Sequence, residues 1–539
     1  MPRPITRRLG IAIAVVACLA GAGCSASGGN DPSSSASDGA KKPLVISLDS
    51  AVDLLDPQAW RTPAAMAATT GLVDQLIEQE YQPSSNGLVL AGTEKFSPAL
   101  AEKVEYSPDG KTATYTLRAG LKFADGTPLT AKDVAWSFQR SLLGPGYVKA
   151  FLPFVGVTKA DQITAKDDRT FVVSNASVKS PLFEKFVGMQ VLGVMSQTAA
   201  EAHKTDADPW AASWLRENAN SSGAYVVEKY DRNSVLQLKP NPNYYDPAKV
   251  RNSGVTMQFI TDPSQRALLL RSGQLDLAQG LPPDQLKQLE SDANLQVVHD
   301  QSNRLAYLGI NTKVAPFDNP KVRQAIAAAV PYQALVDQVM KGYARPASGI
   351  VPSNMDTYVK AADYTENLDK AKQLLAEAGV TTPITSTIYV RQSNATDQQS
   401  AVFIQANLKK IGVEVEVKPL PDAEFTQRSN ARQLPMYVLQ YLGWGADPFY
   451  QMFYLAGTGS GTNFASYGNP ALDKLIQDGL AATDAGRAAV SKQAQELLAA
   501  DMPIVPLYNP DWTFAVRKGV TGLAKDNTEQ LRLQYLAKK

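Results

Sequence analysis

The chain has 539 residues, too many for one hydrophobic core to keep growing, so at least two lobes are expected. Charged residues make up 19% and hydrophobic residues 44%, a mix that excludes a disordered or fibrous chain. The formal net charge is +1 and falls to about −2 without the N-terminal Arg3, Arg7 and Arg8; with no basic run elsewhere, this argues against a nucleic-acid partner.

Those three arginines precede a short apolar run, Leu9 to Ala20. About a dozen apolar residues are too few to span a bilayer, so the segment reads as a signal peptide. Gly21-Ala22-Gly23-Cys24 follows. Small residues ending in cysteine resemble a bacterial lipobox, which implies cleavage after residue 23 and acylation of Cys24. Val15-Val16-Ala17-Cys18 fits the same loose pattern, and Gly21 stands where an aliphatic residue is usual. The Ser/Gly/Ala tract from Ser25 to Asp38 favours Cys24, because such a tract is a flexible tether, placed here at residues 24–43. Both cysteines lie in this region, which leaves no disulfide or cysteine-based metal site for the body of the chain. The only histidines are His203 and His299, so no metal ligand set, cofactor site or catalytic residue is expected.

Along the chain, Leu44 to Leu48 reads as a buried strand and Asp53 to Pro57 as a turn, since the residue before proline avoids helical geometry. The spacing of Leu72, Leu76 and Ile77 predicts a helix over Ala64 to Glu80. Asp109-Gly110 and Asp125-Gly126 mark tight turns, and Ala113, Tyr115 and Leu117 alternate with threonines as in a half-buried strand. Thr130 and Asp133 form a capping-box pattern ahead of a helix that buries Val134, Phe138 and Leu142. Asn319-Pro320 opens another helix. Helices at 368–378 and 398–411 are each stopped by a glycine, Gly379 and Gly412, and are followed by strands at 384–390 and 413–417. This alternation predicts an α/β lobe.

The segment ALAEKVEYSPDGKTATYTLRAGLKFADGTPLTAKDVAWSFQR, Ala99 to Arg140, resembles the signature of extracellular solute-binding family 5, the oligopeptide-, dipeptide- and nickel-binding lipoproteins of ABC importers. Blocks in family order follow at Leu308–Ile326, Ala371–Gly379, Ala406–Val417, Gly443–Pro448, Asn469–Leu475 and Pro503–Tyr508. The resemblance implies an α/β, class II periplasmic binding protein-like fold: two lobes, three domains and a hinge between domains I and III. Domain I would take 44–84, 216–302 and 509–539, domain II 85–215 and domain III 303–508. The signature falls in domain II, which the family uses mainly as structure, so Asp125, Lys132 and Asp133 are not binding candidates.

The resemblance places a ligand between domains I and III. Gly443-Trp444-Gly445-Ala446-Asp447 is similar to the block of peptide-binding members whose Asp pairs with the peptide ammonium, as a desolvated ammonium requires. Trp444 and Tyr441 would add apolar walls. Pro448 follows directly, where peptide binders carry an aromatic and then an acidic-Pro pair, so Asp447 alternatively corresponds to a later Asp that shapes a loop. Further candidates are Gln58 and Trp60 after the first turn, Asn303 and Arg304 at the hinge, and Tyr467 in a polar loop. Arg391, Arg428 and Arg432 are available to read a carboxylate, with nothing in the sequence to select among them.

The function implied is capture of a small solute, foremost an oligopeptide or dipeptide, by an extracytoplasmic, lipid-anchored monomer that delivers it to ABC permease subunits. A metal chelate or metallophore and an oligosaccharide are alternative cargoes on the same fold. A secreted hydrolase is disfavoured, because no Gly-x-Ser-x-Gly elbow, His-Glu-x-x-His helix or Walker A loop is present.

Overall fold

Leu44–Leu48 is short, mostly apolar and almost wholly buried, as suits a strand covered on both faces, and Val255–Phe259 beside it buries Val255 and Met257. They pair in parallel, and Leu277–Gln279 joins on the other side. They sit in a seven-stranded sheet ordered Leu295–Asp300, Trp512–Arg517, Leu277–Gln279, Leu44–Leu48, Val255–Phe259, Val235–Pro240 and Tyr225–Asp231. A six-stranded sheet is ordered Ala344–Pro346, Ile504–Pro510, Arg304–Ile310, Met436–Leu442, Ile384–Arg391 and Val413–Leu420. Here Ile384–Arg391 runs parallel to both of its neighbours. The computed structural model describes residues 41–59, 62–84, 87–381 and 383–539, and residues 41–539 form one compact unit.

The strand Arg304–Ile310 alternates between two cores. Ala306, Leu308 and Ile310 pack with helices Pro320–Ala329 and Ala395–Lys409, while Leu305 and Tyr307 face the helices that follow Asp447. The third body is an antiparallel sheet of Ala101–Tyr106, Ala113–Leu117, Thr170–Val173 and Ile163–Ala165, on which helix Ala131–Leu143 packs.

Two extended crossings link the two large sheets. Leu295–Asp300 passes through residues 301–303 into Arg304–Ile310, and Ile504–Pro510 passes through Asp511 into Trp512–Arg517. The strands on either side of the crossings are paired, Asp300 with Trp512 in one sheet and Ala306 with Tyr508 in the other.

Local signals survive folding well. Asp133 Oδ2 accepts the Thr130 backbone N–H at 2.9 Å, and Asn319 caps the helix that Pro320 opens. Gly379 and Gly412 sit at positive φ past their helices. The helix predicted over Ala64 to Glu80 does not form as such. It stops at Thr69, and Ile77–Pro83 is a strand paired with Val89–Pro98. A Cβ at Gly71 would lie 2.8 Å from the Tyr225 ring, so the chain turns tightly there, and sheet pairing overrides local helical spacing.

The helix Ala131–Leu143 is locked to the first turn by a buried ion pair. Arg140 contacts Asp56 at 2.5 Å, with side-chain exposures of 1% and 0%. Arg140 also donates to Gln58 Oε1 at 2.9 Å and to the Trp210 carbonyl at 3.2 Å. Gln58 in turn donates to the Ser137 carbonyl at 2.8 Å. Gln58 therefore belongs to the joint between this helix and the first turn and does not face a ligand in this conformation; its amide is fully engaged and buried.

Removing one partner of such a pair leaves a buried charge. Arg140→Met is expected to lower the unfolding free energy by about 3–5 kcal/mol in denaturant titrations. Combining it with Asp56→Leu should recover much of that loss. An Arg140→Met loss below about 1 kcal/mol, the range of exposed pairs, would show that the joint does not depend on the pair.

Candidate functional site

In open α/β sheets, ligands sit outside the carboxyl ends of the parallel strands. The strand registers put those ends beside the crossings on both sides. In the seven-stranded sheet, Gln279 pairs with Phe514 next to Trp512, and the neighbouring parallel strands end at Leu48 and Phe259. In the six-stranded sheet, Leu442 pairs with Arg304, and the parallel strands beside it end at Arg391 and Leu420. The two sheets thus present their carboxyl ends to one seam, floored by the crossings.

The floor is polar and tightly tied. Glu529, only 1% exposed, accepts the Asn303 backbone N–H at 2.6 Å and Arg304 Nε at 2.8 Å. Asn303 Oδ1 accepts from Asn354 at 2.8 Å, and Asn303 Nδ2 donates to the Asn527 carbonyl at 3.1 Å. Trp512 Nε1 donates to the Glu529 carbonyl at 3.0 Å. Arg304 holds Glu529 through Nε, which leaves its two terminal guanidinium nitrogens for another partner, and its side chain is 35% exposed. Beside this floor, Asp511 binds both His299 and Arg345, and the hydrogen bond with Asp511 raises the His299 pKa above its usual value.

An aromatic seam rises next to the floor. Helix Pro448–Ala456 carries Tyr450, Phe453 and Tyr454 against Phe151, Phe154 and Phe186 of the segment that holds the signature. Phe154 lies 5.3 Å from Tyr450 and 5.1 Å from Phe453, and Phe186 lies 5.8 Å from Tyr450. Tyr441 is stacked 6.4 Å from Tyr454, and Trp444 is half-buried against the same cluster. Of the sequence candidates, Asn303 and Arg304 thus lie on the polar floor, and Tyr441 and Trp444 lie with the aromatic cluster.

Asp447 has a different task from pairing with a ligand ammonium. It is fully buried; Oδ1 accepts the backbone N–H groups of Phe449 at 2.9 Å and Tyr450 at 3.1 Å, which caps the helix. Oδ2 is ion-paired with Arg487, whose guanidinium lies 4.8 Å over the Phe449 ring. Both carboxylate oxygens are occupied, as the loop-shaping alternative requires. Tyr467 is likewise internal: its hydroxyl bonds Asp501 and accepts from Asn469 at 3.0 Å. Trp60, Cys24 and Cys18 lie outside the described residues.

The three candidate arginines now separate. Arg428 pairs with Glu424 at 2.6 Å on its own helix, and Arg432 donates to the Asn430, Ser460 and Gly461 carbonyls. Arg391 ends a parallel strand and lies 4.8 Å over the Phe425 ring. Its Nη1 makes long contacts to the Asp422 carbonyl at 3.3 Å and Thr426 at 3.2 Å, and the nearest carboxylate oxygen is 3.9 Å away. Behind it, burial pushes the Asp397 carboxyl up to about 6, and Asp397 accepts from Gln440 at 3.2 Å. Sequence reasoning passed over Arg487 and Glu529, since their partners are distant in the chain, and Asp397, whose burial depends on the strands packed against its helix.

A family model described as bacterial extracellular solute-binding proteins, family 5 Middle, matches residues 95–464. The chain belongs to this family. Among its relatives, the probable D,D-dipeptide-binding periplasmic protein DdpA of Escherichia coli strain K12 is 30% identical over 431 residues, covering 78% of this chain and 81% of that protein. The glutathione-binding protein GsiB of the same strain is 24% identical over 499 residues, covering 90% and 92%. The solved structure of DppA from Helicobacter pylori in complex with peptide STSA superposes with a TM-score of 0.77 at 25% identity, covering 92% of this chain and 98% of that one. The fold is that of the class II periplasmic binding proteins.

Asp447→Ala in this family 5 protein should act first on stability, because it strands the buried Arg487 and uncaps a helix. A loss of about 3 kcal/mol or more in unfolding free energy is expected. Unchanged stability together with lost ligand binding would restore Asp447 as a ligand contact.

Proposed function

We propose that this solute-binding protein captures short peptides at the seam and hands them to the permease subunits of an ABC importer. The observation that carries the peptide reading is a pair of arginines with donors to spare, Arg304 beside the 301–303 crossing and Arg391 at the carboxyl end of a parallel strand of the same sheet. Both guanidinium groups are positioned by neighbours yet keep donors to spare, which suits bidentate recognition of a carboxylate. Tyr441 and Trp444 offer flat apolar surface for the body of the ligand, and Asn303 adds a polar floor. The names of DdpA and GsiB, and the peptide bound to the Helicobacter pylori DppA, point to the same class of cargo.

Native mass spectrometry of the purified protein, followed by calorimetry with di- to tetrapeptides, tests the reading. Peptide binding is expected, with Arg391→Ala weakening it by about tenfold to a hundredfold, the scale of one charge-assisted contact. A bound oligosaccharide or metal chelate, with no heat from any peptide, would overturn it.

The same proposal includes a monomer held at the outer face of the membrane through an acylated Cys24. Cys24→Ala is expected to release the protein from the membrane fraction while leaving solute binding intact. Release by Cys18→Ala and retention of Cys24→Ala would move the anchor to Cys18.

A further inference from the structure

Helix Pro181–Val187 sets a lysine among apolar neighbours. Leu182, Phe183, Phe186 and Val187 are all buried, and the side chain of Lys185 is only 2% exposed. A buried ammonium requires charged or hydrogen-bonding partners, and Lys185 has two, drawn from different parts of the fold. Glu94 Oε2 lies 2.7 Å from Nζ and comes from Val89–Pro98, a strand paired with Ile77–Pro83 and Leu523–Lys525. The Ala446 carbonyl accepts from Nζ at 2.8 Å and comes from the loop after Met436–Leu442, in the six-stranded sheet.

The Ala446 backbone is unusual in its own right. Its φ is +45°, a left-handed conformation that alanine keeps only where the surroundings hold it. The loop also sits directly on the lysine's helix, since a Cβ at Gly445 would lie 2.9 Å from Leu182 Cδ1. On its far side the loop is fixed by Asp447 and Arg487, both of which follow Met436–Leu442 in the chain. The segment Gly443–Asp447 is thus held at one end from within its own lobe and in the middle from across the seam.

We infer that Lys185 is a positioning residue for the ligand loop: its ammonium seats the Ala446 carbonyl and so places Trp444 against the aromatic seam. The inference rests on Trp444 lining the proposed ligand site and is independent of which solute is bound.

Hydrogen exchange read by mass spectrometry on the full mature chain tests it without any ligand. Lys185→Met keeps the apolar stem and removes the ammonium. Exchange of the amides in residues 444–450 is expected to accelerate about tenfold, the equivalent of one charge-assisted hydrogen bond. Exchange in Ala131–Leu143 and Arg304–Ile310 should stay unchanged, and Lys185→Arg should recover part of the protection. If Lys185→Met does not melt cooperatively, Glu94→Gln carries the same readout with a smaller effect, because the Glu94 side chain is 56% exposed. Unchanged exchange at 444–450, or equal acceleration across all three segments, would overturn the assignment. Failure here leaves the peptide reading standing, and failure of peptide binding leaves this result interpretable.

Discussion

The two extended crossings at residues 301–303 and at Asp511 are the constraint on which the rest of the molecule depends. They join the large sheets through short segments flanked by paired strands, so the sheets can rotate about the crossings while each keeps its hydrogen bonds. They also set which ends of the sheets face each other. Parallel strands direct their carboxyl ends toward the side of each sheet that carries the crossings, and Arg304 and Tyr441 lie on paired strands next to the 301–303 crossing. Hinge closure around a solute is the motion this architecture supports.

Buried charge does the opposite work in this protein. The buried pairs Asp56 with Arg140 and Asp447 with Arg487, and the buried Lys185 with its half-exposed partner Glu94, take ions out of the pool available to a ligand and use them to join segments. Each is expensive to desolvate, so each demands its partner in place, and each therefore specifies one arrangement of its two segments. The cations left with spare donors at the seam, Arg304 and Arg391, have loose or single-point partners. That division between structural and available charge is the basis for assigning carboxylate recognition to them.

Much of this was legible in the sequence where the signal is local. Thr130 with Asp133, Asn319 with Pro320, and Gly379 and Gly412 encode helix ends through contacts within a few residues, and the helices stop or start there. The family resemblance likewise supplied the fold. What sequence did not reveal depends on partners far along the chain. The carboxylate of Asp447 looks free until Arg487, forty positions later, is folded against it, and Gln58 looks like a cleft residue until Arg140 and Ser137 arrive. The segment Ala64 to Glu80 failed for the same reason, because its apolar spacing fits a helix but Val89–Pro98 pairs with its second half.

Capture at the proposed site requires the two lobes to close on a peptide about the crossings. Small-angle X-ray scattering of protein stripped of solute, then titrated with a peptide that calorimetry shows to bind, tests it most directly. The radius of gyration is expected to fall with occupancy and to saturate at one peptide per chain. A radius of gyration unchanged at full occupancy would contradict it.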